Sequence, residues 1–202
     1  MTRTGSLPWV RLCIFCGSSP GARPDYAAAT EELARRLVQR DIGVVYGGAT
    51  VGLMGLLADT AMAAGGEVIG VIPAALEAKE ISHRGLSDLH VVGSMHERKA
   101  LMAELADGFI ALPGGSGTLE ELFEVFTWSQ LGLHRKACAL LNVVGYFDGL
   151  TSFLDHAVQE RFMKAEHRAM LLCEDTPAAV LDALDRYEPP AVDKWIDRAS
   201  QT

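Results

Sequence analysis

Phe109-Ile110-Ala111-Leu112-Pro113-Gly114-Gly115-Ser116-Gly117-Thr118-Leu119-Glu120-Glu121 reads as a strand, a turn and the start of a helix. The apolar run stops at Pro113, and Gly114, Gly115 and Gly117 crowd the turn. Leu119, Leu122, Phe123 and Phe126 then recur on one side of a helix. Glycines at such a junction let the backbone bend tightly, so that the free amides of the helix start face an anion. The helix dipole adds partial positive charge at the same place. A phosphate suits this turn, and a carboxylate follows one helical turn later.

The same alternation extends outward through the chain. Apolar or β-branched runs predict strands over 10–16, 42–46, 67–72, 89–92, 109–112, 137–143 and 170–173. Helical patterns fall over 25–40, 53–64, 94–106, from Thr118 onward, over 147–162 and over 177–187. The stretch 74–88 has no regular pattern. Repeated βα units with near-continuous apolar strands imply a parallel sheet covered on both faces. Right-handed crossovers then give a single-domain, Rossmann-like, doubly wound α/β fold. It is expected over 9–188, between a flexible lead-in (1–8) and a C-terminal tail (189–202).

The chain has 202 residues, 49% of them hydrophobic, enough for one full core. A net charge of -8 argues against a nucleic-acid partner, which needs a basic face. No apolar run approaches the roughly 20 residues that span a bilayer, so no membrane partner is expected. The first residues lack the layout of a secretion signal. Cys13, Cys16, Cys138 and Cys173 fall mostly in apolar runs, which suits reduced thiols in a cytoplasmic protein. Cys13-x-x-Cys16 begins inside a strand, so a redox role is not expected. The six histidines show no metal-ligand spacing, and no metal site is expected.

Two more predicted strands end in glycine-rich turns, Cys16-Gly17-Ser18-Ser19 and Tyr46-Gly47-Gly48-Ala49-Thr50-Val51-Gly52. Ligands of open parallel sheets bind at the carboxyl ends of the strands, so the three turns share one crevice. Any one of them could be a tight turn and nothing more; together they favour a nucleotide-like ligand. No lysine precedes Thr118, so the P-loop pattern for triphosphates is missing. Gly115-Ser116-Gly117 lacks the third glycine of the dinucleotide fingerprint. A monophosphate fits better.

Three charged residues have no oppositely charged neighbour at helical spacing. Arg98 would have Ser94, Met95, Leu101 and Met102 beside it, and Lys99 would have Met95, His96, Met102 and Ala103. Each is either a solvated base or a group awaiting an anion from elsewhere. Glu121 also lacks a helical cation. Thr118-x-x-Glu121 reads equally as a capping box, with Thr118 as N-cap and Glu121 reaching back. The competing reading places the carboxylate about 5.4 Å above a phosphate, where it would face a ribose. There it could stabilise positive charge on the sugar, as glycosidase carboxylates do. Tyr26, Met95 and Trp128 read as core residues, although Met95 lies close enough to Arg98 to line a pocket.

Ser94-Met95-His96-Glu97-Arg98-Lys99 followed by Pro113-Gly114-Gly115-Ser116-Gly117-Thr118-Leu119-Glu120-Glu121 resembles the LONELY GUY family of cytokinin-activating enzymes. Relatives of that family often carry the label "lysine decarboxylase". The likeness extends over Cys16-Gly17-Ser18-Ser19, Tyr46-Gly47-Gly48, Gly52-Leu53-Met54-Gly55 and Thr127-Trp128-Ser129-Gln130-Leu131-Gly132. Ser116 stands at the variable motif position, where many relatives have an aromatic residue.

The resemblance implies a 5′-monophosphate phosphoribohydrolase that cleaves the N-glycosidic bond of N6-substituted AMP, and of AMP, to free base and ribose 5-phosphate. It implies Arg98 and Glu121 as the catalytic pair. Gly114, Gly115, Ser116, Gly117 and Thr118 would cradle the phosphate, and Ser18, Gly47, Gly48, Met95 and Lys99 would line the nucleotide pocket. It also implies a homodimer without metal or organic cofactor. The alternative is a non-catalytic carrier of a nucleotide or molybdenum cofactor on the same fold, which need not keep the Arg98–Glu121 pair. A true lysine decarboxylase would need pyridoxal phosphate and a Schiff-base lysine, and no lysine here has such a setting.

Overall fold

The computed structural model of the chain describes residues 9–77, 82–83 and 85–190; the lead-in over 1–8 and the tail from 191 onward lie outside the described residues. Strands β1 (Arg11–Phe15), β2 (Gly43–Tyr46), β3 (Val68–Pro73), β4 (Asp88–Val92), β5 (Gly108–Ala111), β6 (Ala137–Leu141) and β7 (Leu171–Glu174) form one sheet. Their order is β4-β3-β2-β1-β5-β6-β7, and every pairing is parallel. Helices α1 (Pro24–Gln39), α2 (Gly52–Ala63), α3 (Ala74–Glu77), α4 (Met95–Leu105), α5 (Ser116–Gln130), α6 (Asp148–Gln159), α7 (Ala165–Ala169) and α8 (Pro177–Asp185) fill the connections. The Rossmann-like, doubly wound arrangement expected from the sequence is thus present.

The period-2 alternation of strand side chains divides the core into two layers. Leu12, Ile14, Val44, Tyr46, Ile110 and Leu112 pack with Leu33 and Leu37 of α1, Leu53 and Leu57 of α2, and Val180 and Leu184 of α8. Cys13, Phe15, Val45, Val71 and Phe109 pack on the other face with Met102 of α4, Leu122 and Phe126 of α5, and Leu154 of α6. Burying a Leu or Phe side chain in this way contributes about 1.5–3 kcal/mol. The central strands β2 and β5 are buried along their whole length, which is why they read as unbroken apolar runs.

Strand order reverses at β1, whose neighbours are β2 and β5. Loops leaving β1 and β5 therefore diverge to opposite faces and open a crevice at their carboxyl ends. The amide of Gly17 donates to the carbonyl of Pro113 at 3.1 Å and so ties these two loops together. Leu53 donates to the carbonyl of Gly17 at 3.0 Å, which draws the start of α2 onto the same spot. A Cβ on Gly52 would lie 2.3 Å from the Ser18 backbone, and its φ of 58° is left-handed; glycine is required there.

Several boundaries differ from expectation by one to three residues. The helix predicted over 147–162 ends at Gln159, because Arg161 turns left-handed with φ 65°, and α7 follows as a separate short helix. The apolar pattern ran on through that turn because of Phe162, which is 90% exposed and holds nothing in the core. The strand predicted to end at 143 stops at Leu141 and gives way to a 3-10 turn, Val143–Gly145. Within the irregular stretch, α3 follows Pro73, and Ser82 forms an isolated bridge with Ala49.

Candidate active site

Helix α5 starts at Ser116, with Gly115 as an extended N-cap that offers no side chain to the helix. The capping reading of Thr118 and Glu121 is therefore wrong. Gly115 lets the chain enter the helix early, and Thr118 becomes a buried residue of the first turn, 4% exposed. Among the described residues, the amides of Gly115, Ser116, Gly117 and Thr118 make no hydrogen bond. Open amides at a helix start, with the dipole behind them, are suited to an anion. A capping arrangement does occur at α4: Ser94 Oγ accepts from the Glu97 amide at 3.1 Å, and Glu97 Oε2 accepts from the Gly93 amide at 2.8 Å. That cap places Arg98 on the second half-turn of α4, facing the crevice.

Arg98 is 8% exposed, and its partner comes from α5. Its Nη2 lies 3.4 Å from Glu121 Oε1, and its Nη1 lies 3.8 Å from Met95 Sδ. The buried Nε has no hydrogen-bond partner among the described residues. The guanidinium passes so close over Gly47 that a Cβ there would stand 2.0 Å from Nη2. Glu121 is nearly as enclosed as Arg98. Burial pushes its carboxyl pKa up, while the positive charge of Arg98 opposes the rise. The pair is thus a desolvated carboxylate beside a cation that keeps unused donor capacity.

Cys16, Gly17, Ser18, Met54, Met95, Arg98, Gly115, Ser116, Gly117, Thr118, Glu120 and Glu121 enclose a cavity of about 340 Å³. Open amides, buried cation and buried carboxylate therefore meet in one space. Burial raises the Cys16 thiol pKa well above its ordinary value, so it is a neutral wall rather than a nucleophile.

Three expected lining residues are not among the walls of this cavity. Lys99 is not on the cavity wall: its ammonium pairs with Glu120 and, at 3.1 Å, with Glu124 of α5. The hydrogen bond to Glu120 raises its pKa and holds it charged. Spacing along α4 does not reveal these partners, because they come from another helix. Gly47 makes room for Arg98 but does not line the cavity. Gly48, with φ 76°, packs against Ile72 and Leu89.

A second recess, about 300 Å³, adjoins the first through Gly17, Ser18 and Gly115. Pro20, Tyr26, Leu53 and Tyr146 are among its walls, and no charged side chain lines it. Tyr26, read from the sequence as core, stands at this recess. Tyr146 had no sequence signal beyond its nearness to a glycine, and Met54 had only its place in the Gly52–Gly55 stretch of the family likeness.

A protein-family model described as "Possible lysine decarboxylase" matches residues 54–184. The cytokinin riboside 5′-monophosphate phosphoribohydrolase LOG7 of Arabidopsis thaliana is 48% identical over 179 residues, 89% of this chain and 82% of that protein. The Oryza sativa subsp. japonica protein named "Probable cytokinin riboside 5′-monophosphate phosphoribohydrolase LOGL5" is 48% identical over 183 residues, 91% of this chain and 74% of its own. Among solved structures, a molybdenum cofactor carrier protein from Chlamydomonas reinhardtii superposes with a TM-score of 0.67 at 18% identity. It covers 87% of this chain and 96% of its own, a likeness of fold.

Proposed function

Since the chain belongs to the family of cytokinin riboside 5′-monophosphate phosphoribohydrolases, we propose that it hydrolyses the N-glycosidic bond of N6-substituted AMP and of AMP. The products are free base and ribose 5-phosphate. The observation that carries the reading is the Arg98–Glu121 pair, buried in the same cavity as the open amides of α5.

The 5′-phosphate lies on the amides of 115–118, with the Thr118 and Ser116 side chains at the rim of the loop. The ribose then extends along the first turn of α5 towards Glu121. Cleavage develops positive charge on C1′, and an ionised Glu121 in a desolvated site stabilises that charge and orients the attacking water. Arg98 is not the proton donor, since a guanidinium keeps its charge in a protein. Its role is to orient Glu121 and to bind phosphate or sugar oxygen through the unpartnered Nε. Ser18 and Met95 complete the walls. Lys99 acts from behind by pinning α4 to α5 through Glu120 and Glu124.

The decarboxylase description does not fit these residues. A Schiff base needs a lysine that can give up its proton, whereas Lys99, beside the cavity, is held charged by two carboxylates. The carrier reading rests on likeness of fold alone, and a carrier has no need of a desolvated carboxylate beside its phosphate. We extend the proposal to a homodimer, twice the 21.7 kDa of one chain. Its place is a reducing cytoplasm, which the four free cysteines support.

The test is chromatographic. Purified protein should release adenine from AMP, and N6-isopentenyladenine faster from N6-isopentenyl-AMP. Glu121→Ala should lose at least about a hundredfold in rate, the scale of a positioned acid–base or electrostatic group. Full base release by that variant would overturn the assignment.

A further inference from the structure

We infer that Tyr146, on the β6–α6 connection, is a positioning residue that aims the Gly115 amide into the anion site; this rests on the phosphate-cradle reading above. In a trans peptide the carbonyl of one residue and the amide of the next point in opposite directions. Fixing a carbonyl therefore fixes the following amide. Three successive carbonyls in the glycine loop are held. The Pro113 carbonyl accepts from the Gly17 amide at 3.1 Å, and the Gly115 carbonyl accepts from the Leu119 amide at 3.2 Å. Between them, the Gly114 carbonyl accepts from the Tyr146 hydroxyl at 2.6 Å. The first and third bonds belong to the backbone. The middle one depends on a side chain from a remote connection, and it sets the direction of the Gly115 N–H.

The connection is built to hold that ring. The buried Asn142 side chain accepts from the Phe147 amide at 2.7 Å and donates to Asp148 and Asp175 at 2.9 and 3.0 Å. Between Asn142 and Tyr146 the chain passes through Val144 at φ 49° and Gly145 at φ 75°. A β-branched residue rarely adopts a left-handed conformation, and such strain persists only where the surroundings impose it. The Tyr146 ring meets Tyr26 edge-on at 5.6 Å and Phe147 at 5.0 Å. These contacts fix the ring, and the ring fixes the hydroxyl. A hydrogen bond to the Gly114 carbonyl also polarises the peptide, which makes the Gly115 N–H a stronger donor to an anion.

Tyr146→Phe keeps the ring contacts and removes the hydroxyl. Calorimetric titration with ribose 5-phosphate should show binding weakened by roughly three- to tenfold, the worth of one hydrogen bond. KM for AMP should rise in the same proportion with kcat little changed, and the thermal midpoint should fall by no more than about 6 °C, the loss of one hydrogen bond from a domain of this size. Tyr146→Ala should bind ribose 5-phosphate no better than Tyr146→Phe. Binding by Tyr146→Phe equal to the parent protein overturns the inference, as does a loss confined to kcat. Parent protein that binds ribose 5-phosphate but leaves AMP intact refutes the proposed reaction, while the Tyr146 comparison still decides the loop. Parent protein that binds no ribose 5-phosphate refutes both.

Discussion

Substituting Gly117 by alanine should stabilise the protein and impair it at once. Gly117 lies in the first turn of α5, its φ is not left-handed, and a Cβ built there would meet no atom within 4 Å beyond its chain neighbours and its own helix backbone. Nothing in the fold opposes the methyl, and glycine in a helix is worse than alanine by about 0.5–1 kcal/mol. In a domain of this size that raises the melting midpoint by about 1–4 °C. The open space beside Gly117 borders the cavity and is where the phosphate is proposed to lie. A methyl there should therefore cost at least about 1.4 kcal/mol of transition-state binding, a tenfold drop in kcat/KM. Differential scanning calorimetry and base release from AMP read the two effects on one preparation. An unchanged kcat/KM would refute the phosphate assignment, and a lowered midpoint would refute the account of the loop. Gly114→Ala is the contrast: its Cβ would lie 2.1 Å from Thr118 Oγ1 and 2.9 Å from the Gly17 amide nitrogen, so it should destabilise by about 1–3 kcal/mol.

The proposed role needs an ionised Glu121, whose pKa burial raises, so kcat/KM should climb with pH to a midpoint above the ordinary carboxylate range. Arg98→Gln removes the main influence that holds this pKa down; the residual activity should have its acid limb at higher pH, and a limb that moved lower would contradict the electrostatics. Gly47→Ala puts a Cβ 2.0 Å from Arg98 Nη2, the tip of a long side chain, so the fold should tolerate it while kcat falls, measured by steady-state kinetics. Phe126→Ala empties a fully buried site under α5 and should cost about 3–5 kcal/mol in urea denaturation.

Much of this was legible because strands buried on both faces leave an unbroken apolar run, and glycine turns mark where those runs end. Tyr46-Gly47-Gly48 shows the limit of that legibility. The turn was visible, but its glycines do not wall the cavity: Gly47 clears a path for Arg98, and Gly48 packs on Ile72 and Leu89. Lys99 shows another limit, since Glu120 and Glu124 reach it across a helix–helix contact that spacing along one helix cannot reveal. Thr118-x-x-Glu121 was ambiguous for a different reason. A capping box and a catalytic turn share the same local pattern, and only the early helix start at Gly115 separates them. Tyr146 was silent because its role depends on the unusual backbone of Val144 and Gly145, which the sequence presents as an ordinary Val-Gly pair.

The most direct test of the central claim compares AMP with adenosine, each incubated with the purified protein and followed by chromatography of base and sugar. The phosphate cradle beside Glu121 predicts adenine and ribose 5-phosphate in equal amounts from AMP, and little or no adenine from adenosine. Equal release from both would mean that the loop does not hold the phosphate, and no release from AMP or N6-isopentenyl-AMP would contradict the reaction itself.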